Sequence, residues 1–247
     1  TRIISTLAHE YQHLINFNEK YISQGLDSPS WFDEMCSMVA VDLVSVKLGI
    51  SPEKDGPQNR LSEFNYYYAE SGVADWLASP NTLKSYASAF AFGAYLERNY
   101  GGAALFQAIA SNANAGEASI SSALASMGYS DTFDDAFSHY GEALIFTDKP
   151  RGSTVKTLKQ SVTASVGAIS YTAASIDLAA IQQYDYANGW VADEFGPRTY
   201  FPDTTLNLRP YGNSIHTQPA WASISGDIAI SLTAPSDPNV EYYLMIK

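Results

Sequence analysis

The chain has 247 residues, 46% of them hydrophobic, and it contains no apolar run of the roughly 18 residues that a membrane-spanning helix needs. Its 26 acidic and 14 basic residues give a formal net charge of -12, which would repel a phosphate backbone and argues against nucleic-acid binding. The single cysteine, Cys36, excludes an internal disulfide and any zinc site built from several cysteines.

The first predicted element is a helix over residues 2–24 that carries two histidines at its middle. His9 and His13 are four residues apart, so their imidazoles lie one turn apart on the same face and can reach one metal ion. Glu10 lies beside that face, close enough to act on a water at the metal without being a ligand. The helix also has an apolar side, formed by Ile3, Ile4, Leu7, Leu14, Ile15 and Tyr21.

A second helix is predicted over residues 28–48, because a serine and then a proline at its start suit the N-cap and the first helical position. Glu34 lies in this helix, far enough after His13 for a short turn and an antiparallel return. The spacing therefore predicts Glu34 as a third metal ligand above the imidazoles, with a solvated helix charge as the alternative. Asp33 competes for that role, but it points about 100° away and is better explained as favourable charge at a helix N-terminus.

The middle of the chain is predicted to be helical after a loop-rich connection. Residues 50–82 contain several prolines and glycines, and helical periodicity returns at residues 83–100, with Phe90, Tyr95 and Leu96 on the buried side. Three shorter helices are predicted to follow at 103–111, 117–127 and 132–145. His139 in the last helix is expected to be structural or at the surface, and a role in stabilising charge at the metal is the alternative.

The character of the chain changes at residues 149–152. Beyond them β-branched residues alternate with small polar ones, as in 161–170 and 224–232, and prolines and glycines recur at turn-like intervals. Short strands over a segment of this length suit a small antiparallel sandwich. The sequence therefore predicts an α + β multidomain protein, with a helical domain over 1–148 and a β-sandwich-like domain over 153–247.

The histidine pair and the following glutamate resemble the zinc-binding motif of a known peptidase class. His9-Glu10-x-x-His13 followed by Trp31-Phe32-Asp33-Glu34 is similar to the motif of the gluzincins, zinc metallopeptidases whose third ligand is a glutamate on the next helix. Within that class, the chain most resembles the hyicolysin-type secreted neutral metallopeptidases over residues 9–17 and 34–38.

This resemblance implies a mostly helical zincin catalytic domain that hydrolyses peptide bonds. It implies that His9, His13 and Glu34 bind one catalytic zinc ion and that Glu10 is the general base and acid. The substrate would be a protein or a peptide. The low lysine and arginine content suits a secreted or cell-surface bacterial protein. The acidic composition permits calcium binding, but no EF-hand loop is present.

A second resemblance concerns Tyr86. The run Tyr86-x-x-x-Phe90-x-x-x-x-Tyr95-Leu96-Glu97 is similar to the helix of aminopeptidase-type gluzincins that begins with a transition-state-stabilising tyrosine. It implies that Tyr86 donates a hydrogen bond to the oxyanion formed during hydrolysis. A structural role at the start of the helix is the alternative.

The chain departs from the family pattern in two places. Where the thermolysin-like branch has an aspartate that orients a histidine, this chain has Met38, so that contact must come from another residue or be missing. The edge strand on which gluzincins bind the substrate backbone precedes the zinc helix, and this chain lacks it. We therefore expect the N-terminal sheet of the catalytic domain to be missing and upstream residues of the same precursor to have been removed.

Two hypotheses about function follow from the sequence. We expect a zinc-dependent metalloendopeptidase, although the motif that would mark an aminopeptidase lies upstream of the zinc helix. The alternative is a non-catalytic binding or adhesion fragment with a vestigial zinc site, in which the C-terminal β region carries recognition. Glu10 favours the enzyme, because a dead site has no need of a general base.

Overall fold

Seven α-helices precede a set of short strands in the computed structural model, which describes residues 2–146, 156–201, 204–217 and 238–241. The helices are α1 (Arg2–Asn16), α2 (Ser30–Leu48), α3 (Leu61–Tyr67), α4 (Thr82–Asn99), α5 (Ala103–Ser111), α6 (Gly116–Ser126) and α7 (Phe133–Ile145). The strands are β1 (Val162–Val166), β2 (Ile169–Ala173), β3 (Gln182–Asp185), β4 (Trp190–Phe195), β5 (Thr199–Tyr200) and β6 (Ile215–His216). The mixed α + β class is confirmed, and among the described helices none is long and apolar enough to cross a membrane.

The apolar side of the first helix lies at the surface, whereas an amphipathic helix normally buries such a side. Ile3 is 77% exposed, Leu7 63% and Leu14 64%. The helix packs on α2 through its opposite side, which carries the two histidines. Beyond α1 the helical stretch continues as a π-helix, Phe17–Ile22. The buried residues of the whole stretch are polar, namely Asn16 in α1 and Lys20 in the π-helix.

The second helix begins slightly later than predicted. Pro29 occupies the N-cap position, and the first helical residue is Ser30. The predicted N-cap residue, Ser28, instead accepts a hydrogen bond from the side chain of Asn16, with 3.2 Å between Asn16 Nδ2 and Ser28 Oγ. The helix ends at Gly49, whose φ of 64° is a left-handed conformation that glycine adopts without strain.

Helix α4 forms the centre of the molecule and is buried on nearly all sides. Phe90, Tyr95 and Leu96, the side chains predicted to be buried, are fully inaccessible to solvent. Gly93 lets α2 approach closely, because a Cβ atom at this position would lie only 2.7 Å from side-chain carbons of Met35 and of Val39. This close contact packs α2, the helix that carries Glu34, directly against the buried helix α4.

Three buried charged side chains lie between α2 and α4. The Arg98 guanidinium donates to Asp42 Oδ2 at 2.7 Å and to Glu97 Oε2 at 2.8 Å. Asp42 Oδ1 also accepts from Gln58 Nε2 at 2.9 Å. Burial raises the pKa of Glu97 well above its ordinary value. The charge of Arg98 therefore compensates acidic groups that are removed from water.

A buried lysine joins the end of the first helical stretch to helix α5. Lys20 Nζ donates to the carbonyl oxygens of Ile109 and Asn112, both at 2.7 Å, near the C-terminus of α5. The unpaired carbonyls at a helix C-terminus favour a cation there. Burial also lowers the pKa of Lys20, which is only 1% exposed.

We expect Lys20→Met to lower the free energy of unfolding by about 1–3 kcal/mol, because the Asn112 carbonyl loses its donor and the buried Ile109 carbonyl keeps only Ser119 Oγ. Lys54→Met is the matched control, since Lys54 is exposed, and we expect it to leave the stability nearly unchanged. Urea unfolding followed by far-ultraviolet circular dichroism measures both. Equal midpoints for the two variants would contradict a stabilising role for Lys20.

The strands after residue 156 form three two-stranded sheets within the described residues. Strands β1 and β2 pair antiparallel, as do β3 and β4, whereas β5 and β6 pair in parallel over two residues. The predicted strand segment 161–170 falls on the β1–β2 hairpin. The second predicted segment, 224–232, and the boundary at 149–152 lie outside the described residues, so the sandwich and the division into domains stay predictions.

These C-terminal segments pack directly on the helices. Ile176 and Leu178 belong to the same hydrophobic core as α4. Asn65 of α3 donates to the carbonyl oxygens of Leu178 and Ile181, at 3.1 and 2.9 Å. Arg98 Nε donates to the Ala174 carbonyl oxygen at 2.8 Å. The connection between β2 and β3 thus packs on α3 and α4 and helps to hold them in place.

Candidate active site

Three side-chain atoms converge where α1 packs on α2. The Nε2 atoms of His9 and His13 are 3.0 Å apart, and Glu34 Oε2 lies 3.1 Å from the first and 3.6 Å from the second. All three side chains are partly buried. The structure therefore brings together the three residues that the sequence predicts as metal ligands.

The arrangement of these atoms fits a metal ion. Glu34 Oε2 is buried and has no hydrogen-bond partner among the described residues, despite its short distance to His9 Nε2. Ligand atoms around a cation approach one another in this way, because each directs a lone pair at the ion and not at its neighbour. In a tetrahedral zinc site with bonds of about 2.0–2.2 Å, neighbouring ligand atoms lie about 3.4 Å apart, which is close to the distances found here.

Neighbouring groups shift the pKa values of two of the three converging residues. The hydrogen bond with Asp33, reinforced by Glu34, raises the pKa of the His13 imidazole to about 10. Burial alone would raise the pKa of the Glu34 carboxyl, but its close contacts with His13 and then His9 lower that pKa to about 2. Because a cation binds only the neutral imidazole, cation binding at these atoms competes with protonation of His13.

Tyr86 also reaches the site, from the first turns of α4. Its Oη donates a hydrogen bond to Glu34 Oε1 at 2.9 Å. The ring is held edge-on against Trp76, with 4.9 Å between centroids, and under the Arg60 guanidinium at 4.8 Å. Burial, followed by the hydrogen bond to Glu34, raises the pKa of Tyr86 to about 12, so its hydroxyl stays protonated near neutral pH.

Glu10 and His139 lie outside the group of three converging residues. Glu10 is exposed on α1, next to His9 in the sequence, and its charge contributes to the raised pKa of Tyr86. The side chain of His139, in α7, is 41% exposed, and its Nδ1 atom lies 3.3 Å from Asp131 Oδ2. It does not belong to the His9, His13 and Glu34 group.

Sequence reasoning missed the contact that supports His13. Asp33, interpreted from the sequence as helix N-terminal charge, lies 2.8 Å from His13 Nδ1 through its Oδ2 atom. Asn16 Nδ2 donates to the other oxygen of Asp33 at 2.6 Å, and Ser37 Oγ lies 3.1 Å from His13 Nδ1. The available signal was the position of Asp33 directly before Glu34, which places the two carboxylates on adjoining faces of one helix.

Two imidazoles and a carboxylate that converge, with a second glutamate directly after the first histidine in the sequence, are the arrangement of a metallopeptidase site. The comparison with protein families agrees with this class. The family model Peptidase M30 matches residues 1–174, and the chain belongs to this family of hyicolysin-type metallopeptidases. A comparison with curated proteins finds no match. The family supports a peptidase that requires a metal and acts on a protein or peptide substrate.

Proposed function

We propose that the chain is a zinc-dependent metalloendopeptidase of the gluzincin type. The observation that carries this proposal is the convergence of His9 Nε2, His13 Nε2 and Glu34 Oε2 at distances of 3.0–3.6 Å. Three protein ligands of this kind leave a fourth position of a tetrahedral ion open, which is typical of catalytic and not of structural zinc sites. The donor set of two imidazoles and one carboxylate suits zinc.

His9, His13 and Glu34 would hold a zinc ion, which would supply a Lewis acid that lowers the pKa of a water molecule and polarises the carbonyl group of the substrate. Glu10, which is not among the converging atoms, is free to accept a proton from the attacking water. It then delivers this proton to the leaving amine, so that one carboxylate serves as base and as acid. The exposed position of Glu10 leaves it accessible to both the water and the substrate.

Tyr86 is proposed to stabilise the oxyanion that forms at the carbonyl oxygen. Its hydroxyl donates to the carboxylate of Glu34, so it lies beside the group of three converging residues. Its raised pKa keeps the hydroxyl in the form that donates. A donor directed at developing negative charge stabilises the transition state more than the substrate.

We expect Tyr86→Phe to lower kcat by about 10²–10³, the effect of removing one donor from an oxyanion, while one zinc ion stays bound. Steady-state kinetics on a quenched peptide, together with metal analysis, measures both quantities. Tyr171→Phe, which removes the same hydroxyl from strand β2, is the control and should retain the wild-type kcat. An unchanged kcat in Tyr86→Phe would remove this assignment.

The proposed activity is tested by metal removal. The purified protein should hydrolyse casein and a quenched peptide, lose the activity after treatment with 1,10-phenanthroline and dialysis, and regain it on addition of one equivalent of Zn²⁺. Activity that survives the chelator would contradict a metal-dependent mechanism. A protein that binds zinc tightly but cleaves neither substrate would favour the binding alternative, which membership in a peptidase family does not favour.

A further inference from the structure

Two consecutive hydrogen bonds, through Asp33, connect the His13 imidazole to Asn16, a buried residue at the end of α1. We propose that Asp33 is a positioning residue, which orients His13 and strengthens it as a metal ligand, and that Asn16 holds Asp33 in place. This inference rests on the proposed metal site. In related enzymes an aspartate at the position of Met38 orients a histidine ligand. We infer that Asp33 makes this contact here.

The two nitrogens of the His13 ring have separate partners. Nδ1 lies 2.8 Å from Asp33 Oδ2, whereas Nε2 lies 3.0 Å from His9 Nε2 and 3.6 Å from Glu34 Oε2. A carboxylate can only accept, so Nδ1 carries the proton of this hydrogen bond. The lone pair of a neutral His13 is thereby assigned to Nε2 and directed at the other two ligand atoms.

The carboxylate of Asp33 is itself held by a hydrogen bond from Asn16. Asn16 Nδ2 donates to Asp33 Oδ1 at 2.6 Å, and Asn16 is only 3% exposed. The same amide nitrogen lies 3.2 Å from Ser28 Oγ, so Asn16 is tied to the loop between the two helices. The carboxylate of Asp33 therefore has one oxygen for its anchor and one for the imidazole.

The charge of Asp33 matters as well as its position. A carboxylate that accepts from the distal nitrogen makes an imidazole a more basic ligand, and losing such a contact typically weakens metal binding by about 10- to 100-fold. An amide oxygen at the same place would still accept from Nδ1 but would add no charge. Ser37 Oγ, 3.1 Å from the same nitrogen, is neutral and offers only a weaker substitute.

Two adjacent residues of α2 thus make different contacts at the site. Asp33 and Glu34 are about 100° apart around α2, so Glu34 directs its oxygen at the ligand group while Asp33 reaches the far side of the same imidazole. Both contacts depend on the packing of α1 against α2. The helix pair therefore forms the metal site and its support together.

The proposal is tested by zinc affinity, measured by competition with a chromophoric chelator for the metal-free wild type, Asp33→Asn and Asp27→Asn. We expect Asp33→Asn to bind Zn²⁺ about 10- to 100-fold more weakly than the wild type. Asp27→Asn removes the same charge from an exposed position in the preceding loop. Because exposed charges are screened by salt, it should bind as the wild type does.

Proton NMR of the zinc-loaded protein adds a readout that a loss of packing would not reproduce. The His13 Nδ1–H proton should resonate downfield in the wild type and move upfield in Asp33→Asn, because an amide is a weaker acceptor than a carboxylate. If Asp33→Asn does not fold, Asn16→Ala replaces it, and the unanchored Asp33 should lower zinc affinity by a smaller factor.

The outcomes separate this inference from the proposed function. A wild type that binds no zinc would overturn the metal site itself. Zinc bound by the wild type, with the same affinity and the same Nδ1–H resonance in Asp33→Asn, would overturn the role of Asp33 and leave the proposed peptidase intact. Weakened binding in Asp33→Asn but not in Asp27→Asn, with the upfield shift, supports the role.

Discussion

Glu10→Gln should lose nearly all peptide hydrolysis and still bind one zinc ion. The substitution keeps the size of the side chain but removes its ability to take a proton from water, a contribution of about 10²–10⁴ in rate. Zinc should stay bound because Glu10 is not one of the three converging ligands. The test is kcat/KM on a quenched peptide together with the zinc content of both proteins.

Glu19→Gln is the matched control for this prediction. Glu19 lies on the π-helical continuation of α1, and its side chain contacts the neighbouring Asn18. The same change of charge there should leave both activity and zinc content close to those of the wild type. Wild-type activity in Glu10→Gln would show that another group removes the proton.

Arg98→Met is expected to cause the largest loss of stability. It leaves the carboxylates of Asp42 and Glu97 buried without their cation, and breaking a buried pair in this way costs about 3–5 kcal/mol. The Arg98 and Asp42 side chains are 0% and 1% exposed, so solvent does not screen their interaction. Urea unfolding of the wild type and the variant measures the difference in the free energy of unfolding.

Arg209→Met serves as the control, because Arg209 pairs with Asp75 at the surface and its side chain is 46% exposed. An exposed pair of this kind contributes about 0–1 kcal/mol. Similar losses of stability in the two variants would contradict the assignment of Arg98 as the charge that compensates the buried acidic groups.

The parts of the site that depend on local spacing could be predicted from the sequence. The four-residue separation of His9 and His13 fixes their common face on any helix. The distance along the chain to Glu34 allows an antiparallel return, and the structure shows that return. The helix predicted over residues 83–100 and its buried residues also follow from periodicity alone, and the structure places Tyr86 of this helix against Glu34.

Features that depend on how the helices pack could not be predicted. Asp33 lies in the first turn of α2, where an acidic residue is common, and only the orientation of α1 against α2 brings it close to His13. The apolar side of α1 indicates burial by pattern, yet its Leu7 and Leu14 are exposed in the described structure. The change to π-helical geometry that brings Lys20 to the end of α5 has no marker in hydrophobic periodicity.

Anomalous diffraction at the zinc absorption edge, from crystals of the zinc-loaded protein, tests the proposed metal centre most directly. The predicted result is one peak at about 2.0–2.2 Å from His9 Nε2, His13 Nε2 and Glu34 Oε2, with Glu10 outside bonding distance. A zinc ion bound elsewhere, or none at these three atoms in a protein that hydrolyses peptides, would contradict it.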